Sequence, residues 1–341
     1  MQDSLMKKAA VYGALFFLVA MVSMFSIIIR TNKSVPDYDE SVENEIEVET
    51  DLKDNRMSVL IPERNDQENQ YFCVPIAISV DDEGFLVSNN YLEKHVTIEI
   101  EGMEADFYKN NNLYGNSTPI KKVTMQFESG NTILDLWLND YYECDVFLKN
   151  SNLYLEFLKP KEKFEEIIVI EISQIEEKEE LPFLISEKLK EQFVTSKAHV
   201  YYSDMIAEEA EKKKLITFAN EIGCDIFLSI RTEKVEGEIN RGIKCLYNPT
   251  YFIPFLGNQE LADLLLRNIT KNTLENANGL KKVQNEDASL SFAQCPASAI
   301  VIEYASQKQL EEMKASDEWL NQMAKGIATA VEEALKTEET K

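Results

Sequence analysis

Two charged residues, Arg231 and Glu303, each come directly after an apolar run that is typical of a buried strand. The run before Arg231 is Cys224-Asp-Ile-Phe-Leu-Ser-Ile230, and Glu303 closes the run Ser298-Ala-Ile-Val-Ile302. Because the carboxyl ends of parallel strands meet at one edge of a sheet, we expect these two side chains to lie near each other. There they can form an ion pair, or the Arg231 guanidinium can bind a carboxylate of a ligand.

Few other side chains are candidates for binding a metal. The chain has two histidines, His95 and His199, and His199 lies inside a predicted strand, where a histidine is more often packed than a ligand. Five cysteines are scattered without a CxxC pair: Cys73, Cys144, Cys224, Cys245 and Cys295. Their spacing predicts neither a disulfide framework nor a thiolate zinc site. We interpret Cys224 and Cys245 as small core residues of apolar strands.

The composition is that of a globular protein of more than one domain. The 341 residues are 44% hydrophobic and 28% charged, with a formal net charge of -25. Binding to nucleic acid by counterion release requires a basic surface, so the composition excludes nucleic acid as a partner. The same charge disfavours anionic lipid surfaces and serves solubility.

The N-terminal region predicts a membrane anchor and a linker. Residues 9–29 are an uncharged apolar run of spanning length, after a short cytoplasmic tail of residues 1–8 that contains Lys7 and Lys8. A signal peptide is the alternative, but no small-x-small cleavage site follows the run. Residues 30–70 are predicted to be an acidic linker, since residues 34–70 contain twelve Asp or Glu against three Lys or Arg. We expect a single-pass protein of the cell membrane with its C-terminal bulk outside the cytoplasm.

Residues 71–161 predict a small antiparallel β domain. Period-two alternation recurs in residues 96–100, 122–127, 132–137 and 153–157, with turns between them. Four tyrosines of this domain could stack on sugar rings, although core or strand packing is the more common role of such residues: Tyr108, Tyr114, Tyr141 and Tyr142.

Residues 162–341 predict a three-layer αβα domain. Apolar strands alternate with amphipathic helices, and the last helix, about residues 317–336, has a stripe that begins at Leu320 and ends at Leu335, with Ser316 as its cap. The predicted strands are 166–171, 198–202, 224–230, 242–247 and 298–303, and the other predicted helices are 179–193, 205–221 and 259–272.

The order of these elements resembles the zinc-dependent N-acetylmuramoyl-L-alanine amidases of type 3, which cut the muramoyl–peptide bond of the bacterial cell wall. Several segments carry the resemblance, among them Gly242-Ile-Lys-Cys-Leu-Tyr247, Glu260-Leu-Ala262 and Pro296-Ala-Ser-Ala-Ile-Val-Ile-Glu303. The tract Tyr154-Leu-Glu-Phe-Leu-Lys-Pro160 is similar to the domain junction of clostridial members. The resemblance implies a zinc-exopeptidase-like sheet and, for the β domain, a wall-targeting module.

The same resemblance implies that the zinc ligands have been replaced. Gln174 stands where the family has a histidine after its first strand, and Lys178 stands at the glutamate ligand, although a one-residue slip would place Glu177 or Glu179 there. Arg231 replaces the second histidine, and Glu303 keeps the position of the catalytic glutamate. A guanidinium stays protonated and repels Zn²⁺ at contact distance, so we expect no zinc cofactor and an idle Glu303.

Three functions follow from this reading. The first is a catalytically silent pseudoenzyme that binds peptidoglycan or a cell-wall, division or sporulation protein through cleft residues such as Gln174, Lys178 and Arg231. The second is an active, divergent amidase. The third is a structural scaffold.

Overall fold

A computed structural model of the protein describes residues 50–51, 56–59, 70–77, 84–103, 105–108, 110–128, 130–173, 180–206, 209–236, 241–249, 256–283 and 287–339. These residues all belong to one compact unit, Glu47–Lys341. The predicted tail and membrane span, residues 1–29, lie outside the described residues. Among the described helices, none is both long and apolar enough to cross a membrane.

The first part of this unit is rich in antiparallel strands. Its strands are β1 (Thr50–Asp51), β2 (Arg56–Val59), β3 (Phe72–Pro75), β4 (Phe85–Asn90), β5 (His95–Glu101), β6 (Tyr114–Gly115), β7 (Ile120–Glu128), β8 (Asn131–Leu138), β9 (Glu143–Lys149) and β10 (Asn152–Leu158). A 3₁₀ turn, Tyr91–Glu93, and two short helices, α1 (Ala105–Tyr108) and α2 (Pro160–Lys163), join or follow them. They form one sheet in the order β1-β2-β7-β8-β5-β4 and another in the order β6-β3-β10-β9.

The alternation of buried and more exposed residues along the strands explains this part of the fold. Val96, Ile98 and Ile100 of β5 are buried and face Leu134 and Leu136 of β8, while the residues between them are more exposed. The two sheets share one apolar core. All four strands predicted for this part are present, which confirms the antiparallel β assignment.

The predicted acidic linker of residues 30–70 needs a correction. Arg56–Val59 forms β2, which pairs antiparallel with β7, and Thr50–Asp51 adds to its edge. The acidic composition of this segment disfavours its burial in a core, but it does not prevent its backbone from pairing with an open sheet edge.

The second part is a three-layer α/β arrangement, as predicted. Its strands are β11 (Ile167–Ser173), β12 (His199–Ile206), β13 (Ile226–Lys234), β14 (Gly242–Tyr247), β15 (Asn276–Lys282) and β16 (Ala297–Tyr304). Its helices are α3 (Leu181–Phe193), α4 (Glu209–Glu221), α5 (Asn258–Thr273), α6 (Ala288–Phe292), α7 (Gln307–Ala315) and α8 (Asp317–Glu339). The sheet order is β12-β11-β13-β16-β14-β15, with β14 antiparallel to β16 and the other pairs parallel.

The two faces of this sheet have separate cores. Helices α3, α5 and α8 cover one face, and α4 with α6 covers the other. The predicted stripe of α8 is buried, and the Ser316 hydroxyl accepts a hydrogen bond from the backbone N–H of Trp319 at 3.2 Å, which confirms the cap. Gly326 lets α8 approach α5, since a Cβ there would lie 2.7 Å from the Ile269 Cα.

Three strands differ from the prediction. β12 runs on to Ile206, past its predicted end at residue 202 and into the predicted helix of residues 205–221. β13 continues past Arg231 to Lys234, because β16 extends alongside it to Tyr304. β15 was not predicted: it is an edge strand whose residues are mostly exposed, so its sequence lacks apolar alternation.

The two parts contact each other through buried aromatic side chains. The Tyr201 hydroxyl of β12 donates a hydrogen bond to Glu143 of β9 at 2.7 Å. Tyr141 packs edge-on against Phe218 of α4, with ring centroids 5.0 Å apart. Of the four tyrosines considered for sugar stacking, Tyr108 and Tyr141 are therefore core residues, while Tyr114 and Tyr142 are half-buried.

Candidate functional site

Arg231 lies on the face of β13 that is covered by α4 and α6, and an internal carboxylate holds its guanidinium. Nη1 and Nη2 donate to the two carboxylate oxygens of Asp287 at 2.5 and 3.2 Å. Nε donates to the Ser229 hydroxyl at 2.7 Å. The Arg231 and Asp287 side chains are 13% and 14% exposed. A bidentate ion pair between a guanidinium and a carboxylate is among the stronger polar contacts in proteins. It leaves the Arg231 guanidinium little capacity to bind a carboxylate of a ligand.

Asp287 is fixed by its local structure as well. It is the N-cap of α6, where one oxygen accepts the backbone N–H of Leu290 at 3.2 Å. Burial alone would raise the pKa of Asp287, but the hydrogen bonds and charge of Arg231 outweigh burial and hold this pKa below its usual range. The carboxylate is therefore ionised at neutral pH.

Glu171 of β11 is a second acid beside Arg231. Its Oε2 lies 3.8 Å from Arg231 Nη2, and the side chain is fully buried. Neither of its oxygens accepts a hydrogen bond within the described part of the chain. Glu171 pairs in register with Ser229, which places it on the same face as Arg231.

A second charged cluster lies further along the same sheet edge, around Lys244 of β14. The ammonium group donates to Glu303 at 2.5 Å and to Glu233 of β13 at 2.8 Å. The other Glu303 oxygen accepts from the Asn278 amide at 2.6 Å. The register of the strands explains why these side chains meet. Glu303 of β16 lies opposite Glu233 of β13, and on its other side it lies opposite Gly242 of β14, two residues before Lys244.

Lys244 is charged despite its burial. Burial lowers the pKa of Lys244, but its hydrogen bonds to Glu233 and Glu303 more than offset this effect, so the pKa lies above its usual value. Both Glu303 oxygens already accept a hydrogen bond, one from an ammonium group and one from an amide, so this acid is less available to take a proton from a water molecule.

The predicted site residues are only partly brought together. Arg231 and Glu303 lie on the same face, but the ion pair between them, which was one of the two alternatives for Arg231, does not form: Arg231 pairs with Asp287, and Glu303 pairs with Lys244. Gln174, Lys178 and the nearby acids, residues 177 and 179, lie outside the described residues. The two histidines lie elsewhere: His95 bonds Asp135 in the β-rich part, and His199 stacks on Phe164.

The described residues of this edge do not fit zinc. Zinc requires three protein ligands from imidazole, thiolate or carboxylate groups. Asp287, Glu303 and Glu233 already accept hydrogen bonds from Arg231 or Lys244, and both cations would repel a divalent ion. Within the described ranges, no three His, Cys, Asp or Glu side chains converge as a metal site.

Sequence reasoning missed Lys244, Asp287 and Glu171, although each had a local signal. Lys244 is a lone cation inside the apolar strand β14, and a buried lysine nearly always has a partner. Asp287 precedes a short helix in the manner of an N-cap. Glu171 lies inside an otherwise apolar strand. These signals indicate burial of charge, but they do not say which charges meet.

The β-rich part carries an open groove of about 810 Å³ beside α1 and β6. Among the residues that the structure describes, its walls combine aromatic rings with uncharged polar and apolar side chains: Pro75, Ile76, Ala77, Phe107, Asn111, Asn112, Tyr114, Asn150, Ser151 and Asn152. Tyr114 donates from its hydroxyl to the Asn152 side chain at 3.3 Å, which orients the ring within the wall. Rings beside amide groups suit a neutral ligand rich in hydroxyl and amide groups.

The fold and site define an α/β domain whose sheet edge carries two charged clusters. Residues 170–333 match the family described as N-acetylmuramoyl-L-alanine amidase. The matched residues lie within the α/β part of this chain, which is similar to that family. No curated relative matches the sequence.

Several solved structures are similar to this half of the chain. The catalytic domain of CwlV from Bacillus (Paenibacillus) polymyxa var. colistinus is 16% identical, with a TM-score of 0.43 over 50% of this chain and 99% of that one. An amidase from Clostridium difficile 630 is 19% identical, with a TM-score of 0.41 over 50% and 97%. The CwlD amidase from Clostridioides difficile, solved in complex with the GerS lipoprotein, is 16% identical, with a TM-score of 0.41 over 50% and 98%.

Proposed function

We propose that this chain is a membrane-anchored, catalytically silent amidase homologue that binds peptidoglycan at the cell wall. One observation carries the proposal: Arg231 and Lys244 occupy the sheet edge and neutralise the carboxylates that gather there. Hydrolysis of an amide by this family's chemistry needs a metal-activated water and a free carboxylate. Both requirements conflict with buried cations at that edge.

The location follows from the sequence and is part of the proposal. Residues 9–29 anchor the chain, and the short basic tail before them keeps its N-terminus inside the cell. The described unit then faces the wall. From there it can also recruit a cell-wall, division or sporulation protein, such as an active hydrolase.

The amide-lined groove of the β-rich part supplies the binding surface. Glycan strands offer ring faces, hydroxyls and acetamido groups, which match the Tyr114 and Phe107 rings and the asparagine amides of the groove.

The first test measures chemistry. The purified full-length protein is expected to contain no stoichiometric zinc after incubation with Zn²⁺ and to release no peptide stems from sacculi, because its described sheet edge already holds two cations. An active zinc amidase assayed in parallel serves as the positive control. Stoichiometric zinc together with stem release would establish the divergent amidase instead.

The second test measures binding to sacculi by co-sedimentation. The wild-type protein is expected to be retained, and the double variant Asn112→Ala, Tyr114→Ala to bind roughly fivefold more weakly or worse, since removal of an anchoring side chain costs about 1 kcal/mol or more. Asn110→Ala is the matched control, because Asn110 is exposed close by but does not line the groove. Absence of retention for the wild type, without any protein partner, would favour the scaffold.

A further inference from the structure

Two cysteines from different loops meet beneath the start of two paired strands. Cys224 lies between α4 and β13, and Cys295 lies between α6 and β16. Their Sγ atoms are 2.6 Å apart, and the two residues are only 8% and 6% exposed. A small adjustment brings two such sulfur atoms to the length of a disulfide bond, about 2.05 Å.

The surrounding contacts hold these two loops together independently of the sulfur atoms. The Asn220 amide donates to the Phe292 carbonyl oxygen at 2.8 Å, and its oxygen accepts the Gln294 backbone N–H at 2.9 Å. The strands then run in parallel register from Phe227 opposite Ala297. The fold therefore places the two thiols side by side, whatever their oxidation state.

We propose that Cys224 and Cys295 form a disulfide bond in the mature protein. One thiolate attacks a sulfur of an oxidant disulfide, either a small-molecule disulfide or an extracytoplasmic thiol oxidoreductase, and one oxidant thiol leaves. The second thiolate then attacks the mixed disulfide and displaces the other oxidant thiol. The protein loses two electrons and two protons, and the oxidant disulfide becomes two thiols.

The disulfide bond would close a loop of the chain that contains residues of both charged clusters. The two cysteines are 71 positions apart, and Arg231, Lys244 and Asp287 all lie between them. Closing a long loop lowers the entropy of the unfolded chain. The disulfide would thus stabilise the relative placement of β13 and β16, which carry Arg231 and Glu303.

The Cys224 thiol of the folded protein is poorly suited to later oxidation. Its hydrogen bond with Cys295, in which the Cys224 thiol is the donor, together with burial raises the pKa of Cys224 well above its usual value, so little Cys224 thiolate forms at neutral pH. The bond is therefore formed during folding, when both sulfur atoms are accessible. This step requires an oxidising compartment, which agrees with the proposed location, whereas the juxtaposition of the thiols does not depend on it.

The experiment counts thiols in the purified full-length protein after refolding in a buffer of reduced and oxidised glutathione. Alkylation under denaturing conditions is expected to label three of the five cysteines, and all five after full reduction. Peptide mass mapping should find Cys224 joined to Cys295. Reduction is expected to lower the Tm by roughly 5–15 °C, given the loop length and domain size.

Two variants make the result specific. Cys245→Ala should keep the cross-link and the reductant-dependent Tm shift, because Cys245 lies separately in β14. The double variant Cys224→Ala, Cys295→Ala should lose both while keeping its folded circular dichroism spectrum. Five free thiols after oxidative refolding, or a cross-link through any other cysteine, would overturn the proposal. Neither outcome bears on zinc content or sacculus binding, so the two proposals fail separately.

Discussion

Replacing Lys244 by methionine is expected to lower the free energy of unfolding by about 3–5 kcal/mol. Methionine keeps much of the apolar length of lysine but removes the charge that Glu303 and Glu233 share. Glu303 is only 8% exposed, so it would remain as a buried acid with the Asn278 amide as its one neutral partner. Guanidinium denaturation followed by circular dichroism measures the loss.

An exposed pair provides the control for this variant. Lys308 lies 3.7 Å from Glu312, with side chains 86% and 54% exposed, so Lys308→Met should change stability by no more than about 0.5 kcal/mol. The double variant Lys244→Met, Glu303→Gln should recover part of the loss, with a coupling energy of about 1–3 kcal/mol. Equal losses for Lys244→Met and Lys308→Met would mean that the buried cluster does not stabilise the fold.

The pH dependence of this effect has a definite sign. The pKa of Lys244 is raised in the folded protein, so its contribution is fully present below the unfolded pKa, about 10.4, and is lost as pH rises through the folded value. The stability difference between wild type and Lys244→Met should therefore stay constant at neutral pH and shrink above pH of about 10.4.

Most of the fold could be predicted because the signal is local. The apolar run of β11 and the buried stripe of α8 identify their elements without reference to the rest of the chain. β15 could not be predicted in this way, because its edge position leaves Asn276, Ala277 and Asn278 exposed and demands no alternation. β2 was hidden by the acidic residues around it, although backbone pairing with β7 does not depend on their charge.

The candidate site was predicted less well because its contacts depend on register. Sequence reasoning placed Arg231 and Glu303 at one edge, and both do lie on one face of the sheet. Their partners were decided by β14 running antiparallel to β16, which brings Lys244 beside Glu303. Asp287 reaches Arg231 from the start of α6, and no spacing along the chain indicates that meeting.

These contacts change how the role of Arg231 is understood. Arg231 does not neutralise Glu303 in place of a metal; it is held by Asp287, with Glu171 nearby. Glu303 has a separate cation in Lys244. The edge therefore contains two separate sets of ion pairs, one around Arg231 and one around Lys244.

Replacing Arg231 by methionine is expected to cost about 3–5 kcal/mol, because two buried acids then lose their cation. Asp287 would keep only its bond from the Leu290 backbone N–H, and Glu171, which is fully buried, would have no nearby positive charge among the described residues. Arg231→Lys is the informative comparison. It keeps the charge but cannot make the paired contact to Asp287 and the bond to Ser229 together, so a loss of about 1–2 kcal/mol is expected.

Measuring stability as the pH is lowered distinguishes the contribution of the Arg231–Asp287 ion pair from that of packing. The pKa of Asp287 is lowered in the folded state, so its contribution is present above the unfolded pKa, about 3.9, and is lost as pH falls through the folded value. Asp287→Asn keeps the shape of the side chain but lacks this titration. The stability gap between wild type and Asp287→Asn should therefore be widest at pH 5–7 and narrow steadily below pH of about 4. A stability difference between wild type and Asp287→Asn that stays constant down to pH 2 would show that Asp287 acts through packing or capping alone. Its ion pair with Arg231 would then contribute nothing to the stability of the fold.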